Sequence, residues 1–291
     1  MTKIPWTEFS WNPIIGCTKV SPGCENCYAE KMAARMPAML SQTGTGDSLD
    51  TWRAYSDVTN QERAWSGKTA FIQSALEKPI KRKKPTMYFV CSMGDILHPT
   101  VHQSWLHEIL NVIRITPQHT YQILTKRPER FFEYDWQCSK YGWDFTNALP
   151  QNLWFGVTAE NQEMADKRIP MLFHIPAAVR FLSVEPMLEE IALWPYLVCR
   201  GCGTRKRKNL SPGCLDCCPE ATNMLDWVII GAESGVHQRP CPTYSVYLMV
   251  GHCRAKDVPV FVKQVHNVDG RLIKSPPGWP RQWPLTPTAA Y

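Results

Sequence analysis

Six short apolar runs recur along the chain, and each ends in polar or charged residues. Met87-Tyr-Phe-Val-Cys91 stops at Gly94-Asp95, Tyr121-Gln-Ile-Leu124 at Thr125-Lys126-Arg127-Pro128, and Leu153-Trp-Phe-Gly-Val157 at Thr158-Ala-Glu160. Val179-Arg-Phe-Leu182 stops at Ser183-Val-Glu185-Pro186, Trp227-Val-Ile-Ile230 at Gly231-Ala-Glu233-Ser234, and Val260-Phe-Val262 at Lys263-Gln264. The runs are β-branched or aromatic and apolar almost throughout, as strands buried on both faces of a parallel sheet are. Helical patterns lie between them, over 105–113, 161–173 and 244–256. The run starts fall near 87, 120, 153, 179, 227 and 259, and most gaps match one βα unit of ~30 residues. With a weak first strand around 11–15, the pattern predicts an α/β fold: a partial or full (β/α) barrel, with a doubly wound open sheet as the alternative. At 291 residues the chain is read as one such domain over 1–291.

One gap, between 179 and 227, is too long for a single unit. It holds Cys199-x-x-Cys202, eleven residues, then Cys214-x-x-Cys217 with Cys218 beside it. Two Cys-x-x-Cys pairs at this separation read as a zinc ribbon inserted over 197–222, with Cys218 a spare or an alternative to Cys217. A second iron–sulfur cluster is the other metal reading. Between the pairs runs Thr204-Arg-Lys-Arg-Lys-Asn209, and a second basic run spans 81–84. Such runs suit phosphate contacts and equally a solvated face.

Near the N-terminus, Cys17, Cys24 and Cys27 share one loop. A helix is expected from Ala29 to Met36 and ended or kinked by Pro37. Residues 41–68 read as a loop, and 71–78 as helical up to Pro79. Three thiolates from one loop can hold three corners of an iron–sulfur cube and leave the fourth iron open. A zinc ion completed by His98 is the alternative, and three ordinary cysteines a third. No stretch approaches a membrane span and the N-terminus lacks a signal-peptide core, so a cytoplasmic location is expected. There, twelve cysteines serve metal sooner than disulfides. Cys91, Cys138, Cys241 and Cys253 stand alone and are expected to be buried thiols. A formal charge of +6 permits a polyanionic partner without requiring one.

Asp95, Lys126, Arg127, Glu160, Glu185, Glu233 and Lys263 all follow or end strands, where a βα barrel keeps its active site. The competing reading makes each a helix cap or a surface charge.

Ser10-Trp-Asn-Pro13, Gly16-Cys17, Ser21-Pro-Gly-Cys24, Cys27-Tyr-Ala-Glu30, Leu124-Thr-Lys-Arg-Pro128, Ser183-Val-Glu-Pro186, Asp226-Trp-Val, Glu233-Ser-Gly235 and Val262-Lys-Gln264 resemble a phage and bacterial three-cysteine family that is similar to radical S-adenosylmethionine (SAM) enzymes. The usual radical-SAM pattern has three residues between its first two cysteines. Here six separate Cys17 from Cys24, and the aromatic Tyr28 follows the last cysteine. The longer loop adds little closure entropy.

The resemblance implies a [4Fe–4S] cluster on Cys17, Cys24 and Cys27, with SAM on the open iron and an external electron donor. It implies that Ser92, Gly94 and Asp95 lie where the methionine end of SAM is recognised. Lys126 or Arg127 would pair with the SAM carboxylate or a substrate phosphate, and Glu160 and Glu185 would contact ribose or substrate. Lys126, Arg127, Glu185 and Glu233 are the catalytic candidates. The leading expectation is a radical-SAM enzyme modifying or repairing nucleic acid. The alternatives are a radical-SAM enzyme on a nucleobase-like small molecule, and a zinc-only nucleic-acid-binding protein. The sequence names neither the substrate nor the oligomeric state.

Overall fold

The computed structural model describes residues 4–40, 46–198, 224–235, 237–267 and 269–284. The second cysteine group, Cys199, Cys202, Cys214 and Cys217, lies outside them, as does the basic run at 205–208. The chain divides into two compact units, Met1–Trp154 and Phe155–Tyr291.

The first unit runs β1 (Phe9–Trp11), β2 (Ile14–Ile15), α1 (Tyr28–Ala33), α2 (Met36–Leu40), α3 (Gly46–Val58), β3 (Ala70–Phe71), α4 (Glu77–Lys81), β4 (Met87–Val90), α5 (Gln103–Ile115), β5 (Thr120–Thr125), β6 (Gln137–Cys138) and β7 (Trp143–Asp144). Strands β1, β4 and β5 lie side by side and parallel, with Trp11 opposite Val90 and Val90 opposite Ile123. The weak strand expected over 11–15 is two pieces. Pro13 has no N–H to donate to a ladder, and the chain leaves the sheet there to pair β2 with β3. Helix α5 buries Leu106, Ile109, Leu110 and Ile113, the single stripe that a 3.6-residue period creates. Trp11 is buried, and its indole N–H donates to the carbonyl of Ala75 at 2.8 Å.

Three local expectations for this unit are corrected. Pro37 does not end the first helix. It sits in the first turn of α2, where a missing N–H leaves no intrahelical bond unmade. Much of 41–68 is the helix α3, not a loop. Its Ala54, Tyr55 and Val58 pack with Ile15, Ala29, Ala33 and Met93 in one apolar cluster, so tertiary contact supplies what a polar stretch lacks in periodicity. The stretch 71–78 begins in β3 and passes through a 3₁₀ turn, Gln73–Leu76, into α4, whose first turn accommodates Pro79.

The second unit runs β8 (Leu153–Thr158), α6 (Gln162–Phe173), β9 (Val179–Val184), α7 (Trp194–Leu197), β10 (Trp227–Gly231), α8 (Thr243–Ala255), β11 (Val260–His266) and β12 (Leu272–Lys274). Its strand order is β8-β9-β10-β11-β12. β9, β10 and β11 are parallel, and β12 returns antiparallel on β11. Every residue of β8, β9 and β10 is buried, which explains why their sequences do not alternate. The chain is therefore mixed α/β, and the expected strand starts agree with those seen at Met87, Thr120, Leu153, Val179, Trp227 and Val260. The isolated thiols Cys91, Cys138, Cys241 and Cys253 are buried, as expected. Among the described residues no helix is long and apolar enough to cross a membrane.

Candidate functional site

The cysteine loop lies at the C-terminal ends of β1, β4 and β5, and it is pinned at both ends. At its start, Gly16 donates to the carbonyl of Met93 at 3.0 Å and forms a parallel bridge with Gly94. A Cβ on Gly94 would stand 2.8 Å from the Gly16 carbonyl oxygen, so two glycines permit this backbone approach. At the loop's far end, the Tyr28 hydroxyl donates to the Ser92 carbonyl at 2.8 Å. Asn12 Oδ1 accepts from Ser92 Oγ at 3.0 Å and from the Met93 amide at 3.3 Å. Both anchors converge on the turn that follows β4.

The third anchor is a buried ion pair. Arg127 Nη1 donates to Asp95 Oδ2 at 2.9 Å and to Cys17 Sγ at 3.5 Å, while Nη2 donates to the Thr18 carbonyl at 2.8 Å and Thr18 Oγ1 at 2.7 Å. Asp95 in turn accepts from Thr125 Oγ1 at 2.8 Å and from the amides of Leu97 (3.0 Å) and Lys126 (3.3 Å). His98 meets Thr18 Oγ1 through Nε2 at 3.0 Å, and its Nδ1 accepts from the Thr100 amide at 3.2 Å. Burial, and then the Arg127 charge, push its imidazole down to about 4. Both ring nitrogens are engaged, so His98 braces the loop where the zinc reading made it a ligand. Lys126 differs from its neighbour. Its amide is held by Asp95, and its ammonium makes no ion pair among the described residues.

Cys17, Cys24 and Cys27 are free thiols, each half-buried. Cys17 is pushed up to about 11, chiefly by burial and then by the Asp95 carboxylate, with Arg127 opposing and the nearby Cys27 adding to the rise. No group of three His, Cys, Asp or Glu side chains among the described residues stands ready to hold a metal ion. The donor chemistry nevertheless fits a soft, sulfur-loving centre. All three donors are sulfur, they share one anchored loop, and a guanidinium N–H already points at one of them.

The strand-end residues of the second unit are paired. Glu160, fully buried, accepts from Arg168 Nη1 at 3.0 Å, and that nitrogen also donates to the Thr158 carbonyl at 2.8 Å. Glu233 accepts from Arg239 through Nε at 3.0 Å and Nη2 at 2.5 Å, and from its amide at 2.8 Å. Glu185 is ion-paired with Lys263. β10 and β11 slip register there: Ile230 faces Val262, and Gly231 faces Gln264. Lys263 is thus the extra residue of a bulge, a device that re-aims a side chain. A Cβ on Gly231 would lie 3.2 Å from the Glu185 carboxyl carbon, so this glycine makes room for the pair.

The structure therefore gathers Ser92, Gly94, Asp95, Lys126 and Arg127 beside the cysteine loop, and separately gives Glu160, Glu185 and Glu233 a cation each. Thr18, Thr125, Arg168 and Arg239 escaped sequence reasoning. Only the fold reveals the contacts of the first two. The two arginines lie eight and six residues beyond their glutamates, outside the i+3 and i+4 spacings that mark helical pairs.

The family model described as "Protein of unknown function (DUF5131)" matches residues 1–274, and the chain belongs to that family. No curated protein matches it. The chain is similar to solved structures of spore photoproduct lyase. One is a cysteine-to-serine mutant, at 10% identity and a TM-score of 0.45, covering 90% of this chain and 77% of that one. Another is a double mutant with bound AdoMet and dinucleoside spore photoproduct, at 10% identity and a TM-score of 0.39, covering 87% and 62%. A third is complexed with dinucleoside spore photoproduct, at 10% identity and a TM-score of 0.42, covering 90% and 77%.

Proposed function

We propose that this protein is a radical-SAM enzyme built on a barrel-type α/β fold. Cys17, Cys24 and Cys27 would hold a [4Fe–4S] cluster, and nucleic acid would be its substrate. What carries the reading is the anchored loop: three free thiols at the C-terminal ends of parallel strands, with Arg127 donating to one of them. Held by Cys17, Cys24 and Cys27, such a cluster would supply one-electron reduction of bound SAM, the source of chemistry able to take hydrogen from a substrate.

The chain's own residues position and shield. Gly16, Gly94 and Tyr28 fix the course of the loop. The Asp95–Arg127 pair holds Cys17–Thr18 against the end of β5. Both Asp95 oxygens and both Arg127 terminal nitrogens are already engaged, so Lys126 is the residue left to pair with a SAM carboxylate or a substrate phosphate. Among the three carboxylates, Glu185 is the most exposed, at 18% against 5% for Glu233 and 0% for Glu160. It is the candidate for a ribose or substrate contact, and Glu233, held by Arg239, is the second. The net charge of +6 and the basic runs support a polyanionic partner. The spacing of Cys199, Cys202, Cys214 and Cys217 supports a separate zinc site. An external electron donor is required by the chemistry.

Anaerobic purification followed by SAM and a reductant tests the reading. The expected result is brown protein and 5′-deoxyadenosine, both lost when the three cysteines are replaced by alanine. Colourless protein carrying zinc alone would overturn it. Binding to neither DNA nor RNA at low salt would remove nucleic acid as substrate and favour a nucleobase-like small molecule.

A further inference from the structure

We infer that Arg127 and Asp95 act as an opposed pair that sets the reduction potential of the metal centre on Cys17, an inference that rests on the cluster reading above. The resemblance offers Arg127 as a partner for the SAM carboxylate or a substrate phosphate. In the structure both of its terminal nitrogens are already engaged. Its side chain is 4% exposed, and its two terminal nitrogens reach Asp95 Oδ2, Cys17 Sγ, the Thr18 carbonyl and Thr18 Oγ1. A buried ion pair of this kind is a weak source of stability, because desolvation offsets its attraction. Its value lies in where it points. Of the two charges, the guanidinium touches the sulfur directly, at 3.5 Å. A donor and a positive charge at a ligating sulfur favour the reduced, more negative state of a cluster, and so raise its potential. Asp95 accepts from the same Nη1 that reaches the sulfur, and its negative charge subtracts from that effect. Thr125 Oγ1 and the amides of Leu97 and Lys126 keep the carboxylate in place. Arg127 and Asp95 are thus positioning residues acting through Cys17, and the two should act with opposite sign.

The test is a potentiometric titration of the anaerobically purified full chain, followed by visible absorption and electron paramagnetic resonance, with iron per chain measured alongside. Arg127→Gln should shift the midpoint to more negative values. Asp95→Asn, which leaves the guanidinium charge uncompensated, should shift it to more positive values. Arg127→Lys, which keeps the charge, should restore most of the wild-type potential, and the neutral Arg127→Met takes the place of the Gln variant if that one fails to take up iron. Loss of packing alone cannot move the midpoint in opposite directions, so shifts of the same sign, or none in a cluster-bearing protein, overturn this inference and leave the cluster reading intact. Wild-type protein that holds zinc and no cluster overturns both.

Discussion

Gly16 has φ +93°, and a Cβ there would meet the Lys68 carbonyl oxygen at 2.2 Å. An L-residue in that region costs roughly 1–2 kcal/mol before any clash. Gly16→Ala should therefore lower stability by more than about 2 kcal/mol, read as a fall in denaturant midpoint, and under the proposed cluster on Cys17 it should also lower iron per chain. His98 gives a pH dependence of definite sign. Its imidazole sits at about 4 in the fold against 6.5 for the free side chain. Between those values the unfolded chain binds the extra proton, so this contribution is complete above about pH 6.5 and is lost as pH falls toward 4. Melting temperature followed from pH 7 to 4.5 should drop more steeply for the wild type than for His98→Gln.

Among the elements, α6 and β8 show how local chemistry and packing divide the work. Asn161, and not the neighbouring Glu160, caps α6: its Oδ1 accepts from the Met164 amide at 2.9 Å. Asn161→Ala should cost about 1 kcal/mol, seen in urea unfolding with an unchanged slope. In β8, a Cβ on Gly156 would stand 2.5 Å from the Phe181 ring of the adjacent strand. Gly156→Ala should therefore cost about 1–3 kcal/mol by overpacking, and Phe181→Leu in the same chain should recover part of it. The strands were legible because burial on both faces leaves a continuous apolar run. The helix α3 was not, since its inward residues Ala54, Tyr55 and Val58 are few among polar ones and are held by contact with α1 and β2. β12 was missed for a related reason: it has three residues, none of them buried.

For the whole molecule, a charge of +6 with basic residues gathered in runs makes salt the informative variable. If single-stranded nucleic acid is bound, log affinity should fall with log salt by about 0.7 per phosphate contact. Replacing Arg205, Lys206, Arg207 and Lys208 with serine should make that slope shallower, by up to about 3 if all four residues touch phosphate. An unchanged slope would mark the run as a solvated face. The sequence by itself determined the strand positions, the α/β class and the gathering of polar residues at strand ends, because those follow from periodicity and from which residues tolerate burial. It also singled out the three cysteines by their spacing. Only the tertiary structure decided what each polar residue is doing. Arg127 and Lys126 are adjacent cations with the same appearance in sequence, yet one is locked between a carboxylate and a sulfur and the other is not. That difference depends on partners brought together from residues 17, 18 and 95, and a side chain's partners across such separations are set by how strands pack, which no local pattern encodes.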